Sequence, residues 1–154
     1  MLANYSRKVS VKKKIRLQIW RIVNTLFFLN LFPFMSPWRI MLCRVFGAKI
    51  GENCVIKPHV TIYDPEKLVL GHNVWVGEHV DLYSLSAINI HHNVVISQYC
   101  FLCTGSHSIS DNFATISKPI EILSNTWICA KCTVLPGAIV GVDETIYSAG
   151  SILK

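Results

Sequence analysis

The sequence contains two Cys-x-x-Cys pairs, a spacing that is typical of zinc sites. Cys100 pairs with Cys103, Cys129 pairs with Cys132, and His107 follows shortly after the first pair. Four such sulfurs could hold a zinc ion. His107 could instead serve as a general base, because an imidazole with a pKa near ~6.5 can take a proton from an attacking hydroxyl. Whether these residues form a zinc site or a site for general-base catalysis depends on where the secondary structure places them.

From residue 50 onward an aliphatic residue recurs at every sixth position, with longer steps between groups. A helix would repeat at three to four residues and a strand at two, so this period predicts stacked coils of three short strands. The aliphatic positions are Ile50, Ile56, Ile62, Leu70, Val76, Leu82, Ile90, Ile96, Leu102, Ile122, Ile128, Val134 and Val140. Compact residues follow four positions later at Cys54, Val60, Val74, Val80, Val94, Cys100, Thr126, Cys132 and Ala138. We therefore predict an all-β domain over 50–154, a triangular parallel β-helix of about five coils.

The repeat register argues against a zinc ribbon. Cys100 and Cys132 occupy the compact position on neighbouring coils, where a cysteine acts as a small buried hydrophobe. Cys103 and Cys129 follow aliphatic residues of different faces, so the four sulfurs would not converge. We predict reduced structural thiols, as in a cytosolic protein, and keep zinc and a disulfide as alternatives.

Basic residues are concentrated in the segment 1–49, which holds ten Lys and Arg and no Asp or Glu. The overall charge of +6 therefore belongs to this arm. Arg16 and Arg21 interrupt the roughly 20 apolar residues that a spanning helix needs. We predict an amphipathic helical arm and cap, either on a membrane surface through residues 1–35 or packed on the β-helix. A spanning segment and a secretory signal are alternatives, and no feature points to nucleic acid.

A long excursion interrupts the repeat between Leu102 and Ile122, a step of 20 residues where earlier corners take eight. We predict a loop at 107–121 and expect it to be functional, because long loops in compact domains usually are. His107 stands at its start. From the residues alone, His107 could equally be a loop histidine that hydrogen-bonds its own turn.

The segments "IGENCVIKPHV", "LGHNVWVGEHV", "IHHNVVISQYC" and "WICAKCTVLPGAIVG" resemble the hexapeptide-repeat acyltransferases. The runs "WRIMLCRVFGAKIG", "NVWVGEHVDLY" and "NVVISQYCFLCTGSH" are similar to the branch named for colanic acid biosynthesis acetyltransferases, which acetylate sugars of surface polysaccharides. The resemblance covers Trp38 to Lys154. It implies a left-handed β-helix, acetyl-CoA as the acyl donor with no metal, and a homotrimer with active sites in clefts between subunits.

The resemblance makes His107, in the motif "CTGSH", the general base of the reaction. By the repeat register, Tyr83 and Ser84 lie on the coil below and could orient the base or the acceptor, although an ordinary outward strand pair is an alternative. A backbone N–H of Gly105 or Ala130 could hold the oxyanion.

The segment "WICAK" carries the expected donor site. In the resembled family Trp127 and the residues after it, here Cys129 and Ala130, line the pantetheine arm of coenzyme A, and Lys131 could meet a coenzyme phosphate. Cys129 stands where the family usually has glycine, so its side chain would narrow the groove. A subunit contact for Trp127 and a solvated Lys131 are the alternatives.

The remaining histidines fall at corners of the predicted coils. His59 would stack on His79, and His72 on His92 with His91 beside them. Stacked imidazoles could bind a metal, as in the γ-class carbonic anhydrases, but the His-x4-His pair of that family is absent. We expect them to be surface corner residues.

Two registers fit the last coil. Val140 leads either to Ile146 and Ile152 or, with one inserted residue, to Tyr147 and Leu153 as the inward side chains. We predict the second register, because "YSAGSILK" then matches the usual ending of the resembled family. Relatives continue into a segment near the adenine of the coenzyme, so we expect either a truncated form or a coenzyme held by fewer contacts.

The combined interpretation is an acetyl-CoA-dependent O-acetyltransferase that acts by direct transfer. Its acceptor would be a sugar of a capsular or exopolysaccharide, or the lipid- or nucleotide-linked precursor of that sugar. The expected location is the cytoplasm, with peripheral contact at the cytoplasmic face of the membrane. A non-catalytic β-helix assembly module and an N-acetyltransferase of an amino sugar are the alternatives.

Overall fold

A computed structural model describes residues 9–28, 35–108, 114–141 and 146–154 of the chain. Two N-terminal helices, α1 (Val11–Phe28) and α2 (Ser36–Val45), precede a parallel β-solenoid of about five turns. This architecture confirms the predicted mostly-β fold with a helical arm. Residues 1–8 and 29–34 of the arm, and 109–113 of the predicted loop, lie outside the described residues.

The solenoid consists of strands of two or three residues that meet at tight corners. The strands are β1 (Lys49–Ile50), β2 (Val55–Ile56), β3 (Thr61–Ile62), β4 (Leu68–Leu70), β5 (Trp75–Val76), β6 (Asp81–Tyr83), β7 (Ile88–Ile90), β8 (Val95–Ile96), β9 (Phe101–Cys103), β10 (Gly105–His107), β11 (Thr115–Ser117), β12 (Ile120–Ile122), β13 (Trp127–Ile128), β14 (Thr133–Val134), β15 (Ile139–Val140), β16 (Ile146–Tyr147) and β17 (Ile152–Leu153). A short 3-10 turn at Pro65–Lys67 leads into β4.

Three parallel sheets of five strands form the faces of the solenoid. Sheet 1 contains β1, β4, β7, β12 and β15, sheet 2 contains β2, β5, β8, β13 and β16, and sheet 3 contains β3, β6, β9, β14 and β17. In the register, Ile56 pairs with Val76 and Val76 with Ile96. Both predicted columns, the compact residues and the aliphatic ones from Ile56 to Val140, are buried, which explains the period of six.

The corners use the left-handed backbone region that asparagine tolerates better than most residues. Between sheets 1 and 2, Asn53, Asn73, Asn93 and Asn125 all have φ near +55 to +60°. Their side chains form a ladder in which each Nδ2 donates to the next Oδ1, at 3.3, 2.8 and 3.0 Å. The ladder ties successive coils together along the corner.

The two helices cover the open end of the first coil. Trp20 Nε1 donates to the Ile62 carbonyl at 2.6 Å, and Asn24 Nδ2 donates to the Val60 carbonyl at 3.2 Å. From α2, the fully buried Arg39 donates through Nη1 to the Ile56 carbonyl at 3.3 Å. These side chains satisfy backbone groups that a further coil would otherwise pair. Residues 11–28 thus pack on the β-helix, which was one of the two predicted placements of the arm.

The last coil adopts the second predicted register. Tyr147 pairs with Ile128 and Leu153 pairs with Val134. Leu153 is buried, whereas Ile146 and Ile152 are each 66% exposed. The one-residue insertion is therefore confirmed.

Candidate active site

His107 lies on an antiparallel hairpin that projects from the corner between sheets 3 and 1. β10 pairs with β11, so that His107 is opposite Thr115, and the Ser108 N–H donates to the Ala114 carbonyl at 3.0 Å. The His107 side chain is exposed. The hairpin fills much of the excursion predicted as a loop, and it presents an imidazole at the surface of the solenoid.

The buried Thr104 anchors the base of the hairpin. Its Oγ1 donates to the Tyr83 carbonyl at 2.9 Å and accepts a hydrogen bond from the Ser86 N–H at 2.8 Å. The Thr104 carbonyl accepts a hydrogen bond from the Lys118 N–H at 3.0 Å. One end of the hairpin is therefore tied to the coil below and the other end is tied to the first, which restricts where His107 can lie.

Gly105 lies against Tyr83 and Leu85 of that lower coil. Tyr83 pairs with Cys103 in the parallel register, as predicted. A Cβ atom at Gly105 would lie 2.4 Å from Leu85 Cδ1 and 3.3 Å from Tyr83 Cε1. The absence of a side chain at Gly105 thus permits the close approach of the hairpin to the coil.

Ser84, predicted to orient the base or the acceptor, is fully buried. Its Oγ accepts a hydrogen bond from the Asp64 N–H at 2.9 Å and donates to the Asp64 carbonyl at 3.0 Å. The hydroxyl therefore holds two corners together, and a direct contact of Ser84 with an acceptor is not supported.

A cavity of about 320 Å³ lies between α1 and the corner that carries Tyr83. The Tyr83 ring lies 4.9 Å from the Tyr63 ring, and the guanidinium of Arg21 is 5.7 Å from the centre of the Tyr63 ring. Lys14 of α1 also lines the cavity. Sequence reasoning missed this wall, because α1 and the solenoid corners are far apart in the chain and no local pattern joins them.

Asp64 lines the same cavity and is 2% exposed. Its Oδ2 is 2.8 Å from Lys13 Nζ, while its Oδ1 is buried and accepts no hydrogen bond from the described residues. Lys13 also contacts Glu66. Hydrogen bonds from Lys13 and then Arg16 lower the pKa of Glu66, while partial burial acts in the opposite direction. These ion pairs hold the start of α1 on the solenoid corner.

The predicted donor residues lie on sheet 2 and on the corner that follows it. Trp127 is 48% exposed and donates through Nε1 to Ser97 Oγ at 3.0 Å. Cys129 and Ala130 are half-buried, and Lys131 is exposed. Lys131 has φ +62°, as do the residues at the same corner of lower coils, so its backbone conformation belongs to the repeat. An exposed aromatic face, two small half-buried residues and an exposed cation could together hold a pantetheine arm with a phosphate.

Within one chain, the structure does not bring His107 and Trp127 together. Trp127 belongs to sheet 2, whereas the hairpin of His107 follows sheet 3. Trp127 is also part of an outward apolar row along sheet 2. The row is Val55, Trp75, Val95, Trp127 and Ile146. Such a row is typical of a face that contacts another subunit.

All six cysteines are free. Cys100 and Cys132 are buried in the compact column, as predicted, and burial raises the pKa of Cys100 to about 11. Cys103 and Cys129 are half-buried; Cys103 lies in sheet 3, whereas Cys129 follows the β13 strand of sheet 2. In the part of the chain that the structure describes, no three His, Cys, Asp or Glu side chains are grouped closely enough to hold a metal ion.

The stacked histidines lie at the predicted corners. The rings of His59 and His79 are 4.5 Å apart, and those of His72 and His92 are 5.2 Å apart. The backbone N–H of His72 donates to His92 Nδ1 at 2.9 Å. His91 lies 3.2 Å from Glu121 through Nε2. These histidines are therefore corner residues whose contacts connect successive coils.

Comparison with known proteins gives relatives for nearly the whole chain. The sequence is 40% identical over 141 residues to "Putative colanic acid biosynthesis acetyltransferase WcaF" of Escherichia coli (strain K12), which covers 91% of this chain and 78% of that protein. The Shigella flexneri protein of the same name matches to the same extent. No protein-family model matches the chain.

Solved structures share the fold at lower sequence identity. The hexapeptide-repeat acetyltransferase VCA0836 of Vibrio cholerae O1 biovar eltor, complexed with acetyl coenzyme A, superposes with a TM-score of 0.85 at 19% identity, covering 97% of this chain and 82% of that chain. A maltose O-acetyltransferase from Clostridium difficile 630 has a TM-score of 0.75 at 18% identity, covering 93% of this chain and 78% of that chain.

Proposed function

Because this chain belongs to the hexapeptide-repeat acetyltransferase family that includes WcaF, we propose that it transfers an acetyl group from acetyl-CoA to a sugar hydroxyl. The acceptor is a sugar of a capsular or exopolysaccharide, or its lipid- or nucleotide-linked precursor. The observation that carries the proposal is the exposed imidazole of His107, on a hairpin that Thr104 anchors next to Gly105 and Tyr83.

His107 is the proposed general base. It takes the proton from the acceptor hydroxyl while the hydroxyl oxygen forms a bond to the thioester carbonyl carbon. The carbon–sulfur bond then breaks, and the proton passes from the imidazolium to the coenzyme thiolate. A backbone N–H at Gly105 or Ala130 would stabilise the negative charge on the carbonyl oxygen. The transfer is direct and forms no acyl-enzyme.

The acceptor sugar is proposed to lie in the cavity between α1 and the Tyr83 corner. Tyr63 and Tyr83 offer ring faces and hydroxyls to a sugar in this cavity. Lys14 and Arg21 line the same cavity and supply positive charge, which suits a phosphate-linked precursor better than a neutral free sugar.

The donor is proposed to lie along Trp127, Cys129, Ala130 and Lys131. The exposed indole would cover the pantetheine arm, and the Lys131 ammonium would meet a phosphate. Acetyl-CoA supplies the activated acetyl group as a co-substrate.

A homotrimer is the proposed assembly. His107 and Trp127 lie on different parts of one triangular solenoid, so a cleft that contains both requires a second subunit. The outward apolar row of sheet 2 supplies a surface for that contact. A coenzyme A-dependent reaction and six free cysteines support a cytoplasmic location.

The test is the release of free coenzyme A from acetyl-CoA across a panel of sugars, amino sugars and sugar nucleotides. His107→Ala should abolish turnover with the fold unchanged, since general-base catalysis is worth about 10²–10⁴-fold. The matched control is His91→Ala, another exposed histidine, which should keep the rate of the unaltered chain. Acetylation of amino sugars alone would favour the N-acetyltransferase alternative. Undiminished turnover in His107→Ala would rule out His107 as the base.

A further inference from the structure

The outer face of α1 carries a continuous row of exposed apolar side chains. The row is Val11 (72% exposed), Ile15 (56%), Ile19 (50%), Ile22 (62%) and Leu26 (55%). Their spacing of three and four residues places them on one side of an α-helix. Five large apolar side chains on one face of a single helix are more than the scattered exposure of ordinary surfaces.

This row is separate from the face that packs on the solenoid. The packed face carries Trp20, Asn24 and Phe28, which are buried. At about 100° per residue, Ile15 and Ile22 lie on the side of α1 opposite to these three residues. The row therefore makes no contribution to the cap of the first coil.

α2 repeats the arrangement on a smaller scale. Trp38 (55% exposed), Met41 (44%) and Val45 (74%) share its outer face, while Arg39 and Cys43 are buried. Both helices pack on the first coil, so their outer faces point away from the solenoid. We call these two outer faces together the basal surface.

Positive charge lies on both sides of the row on α1. Lys12 lies on one flank and Lys14 on the other by helical geometry, and both are exposed. Arg21 lies nearer the packed face, over the Tyr63 ring. The whole segment 1–49 contains no acidic residue. Two copies of such a surface would repel each other, whereas an anionic lipid layer attracts it. Trp38 adds an aromatic side chain of the kind that favours the interface between lipid and water.

We propose that the basal surface binds peripherally to a bilayer that contains anionic phospholipid. The apolar row enters the headgroup region, the flanking Lys12 contacts a lipid phosphate, and the solenoid stands on its N-terminal end. Among the described helices, none is long and apolar enough to cross a membrane. The inference rests on the exposed faces of α1 and α2 and does not depend on the proposed catalytic role of His107.

The test is co-sedimentation of the full chain with vesicles of phosphatidylcholine, with and without phosphatidylglycerol. We expect binding to the anionic vesicles that weakens at high salt, because the electrostatic attraction is screened. The double variant Ile15→Gln/Ile22→Gln keeps good helix formers in α1. It should lower partitioning by about 10- to 100-fold, since two large apolar side chains no longer enter the lipid.

The control variant is Ile139→Gln/Ile152→Gln, which replaces two equally exposed isoleucines on the solenoid, each 66% exposed. It should partition as the unaltered chain does. The proposal is overturned if the unaltered chain does not bind anionic vesicles, or if all three proteins bind equally. It is also overturned if Ile15→Gln/Ile22→Gln instead changes the oligomeric state, because the basal surface would then be a contact between copies of the chain.

Discussion

Gly105→Ala tests whether the packing under the hairpin determines the position of His107. The added Cβ would lie 2.4 Å from Leu85 Cδ1, whereas carbon atoms in contact are normally about 3.8 Å apart. The hairpin, the Leu85 side chain or both must therefore move by roughly 1.4 Å in total to relieve the overlap. Leu85 is only 7% exposed but also lines the cavity beside α1, so its side chain can take up part of this movement and the hairpin takes up the rest.

Two consequences follow from this overlap. Overpacking of a buried contact costs about 1–3 kcal/mol in the free energy of unfolding. A shift of about 1 Å in a catalytic group lowers the rate by up to about 100-fold. Since Leu85 and the hairpin share the movement, we expect Gly105→Ala to lower kcat by about 10- to 100-fold with little change in KM.

The assay compares Gly105→Ala, Leu85→Ala and the double variant by coenzyme A release and by urea denaturation. Leu85→Ala removes the atom that the new Cβ would meet, so the double variant should recover most of the kcat lost in Gly105→Ala. A coupling free energy of about 1 kcal/mol or more is expected between two residues in contact. Normal kcat in Gly105→Ala, or strict additivity of the two substitutions, would refute the reasoning.

Arg39→Met should lower the free energy of unfolding in urea by about 1–3 kcal/mol, because the buried Ile56 carbonyl and the partly buried Phe27 carbonyl lose their donor. A loss below about 0.5 kcal/mol would contradict the capping role. At about pH 8, Cys103 and Cys129 should react with a thiol reagent in the native protein, whereas the four buried cysteines should react only after unfolding. Rapid labelling of more than these two thiols would count against the buried cysteine columns. Glu66→Gln should cost about 0.5 kcal/mol at neutral pH, since Glu66 is partly exposed. Lys13 lowers the pKa of Glu66 in the folded state, so the stabilisation is present above the unfolded pKa of about 4.3 and is lost as the pH falls through the folded pKa. A stability difference between the unaltered chain and Glu66→Gln that grew on acidification would contradict this.

Several elements were predictable because their signal is periodic. The inward positions of Ile56 and Val76 follow from the period of six, and the burial of Cys100 and Cys132 follows from the same register. The register with one extra residue before Tyr147 was predicted from the ending of the last coil. The pairing of Tyr147 with Ile128 confirms that register.

The proposed catalytic role of His107 depends on different information. The sequence located His107 at the start of an irregular segment, and the structure places it on an anchored hairpin. The hairpin was predicted as a loop, because its two strands have three residues each and lie where the period of six is interrupted. So few residues give too little alternation to identify a strand from the sequence. Ser84 was predicted to orient the base or the acceptor, with an outward strand pair as the alternative, but its side chain is buried and bonds to the Asp64 backbone.

The sequence by itself determined the solenoid, because each coil repeats the same local pattern and a side chain's place in the core depends only on its position in that pattern. It also determined that the N-terminal arm is basic and apolar. Only the tertiary structure decided how the arm is used, with Trp20 and Arg39 capping the first coil and Ile15 and Ile22 facing outward. The physical reason is that docking of α1 depends on contacts between distant parts of the chain, among them Arg21 with Tyr63 and Lys13 with Asp64. Such contacts form only once the coils have stacked.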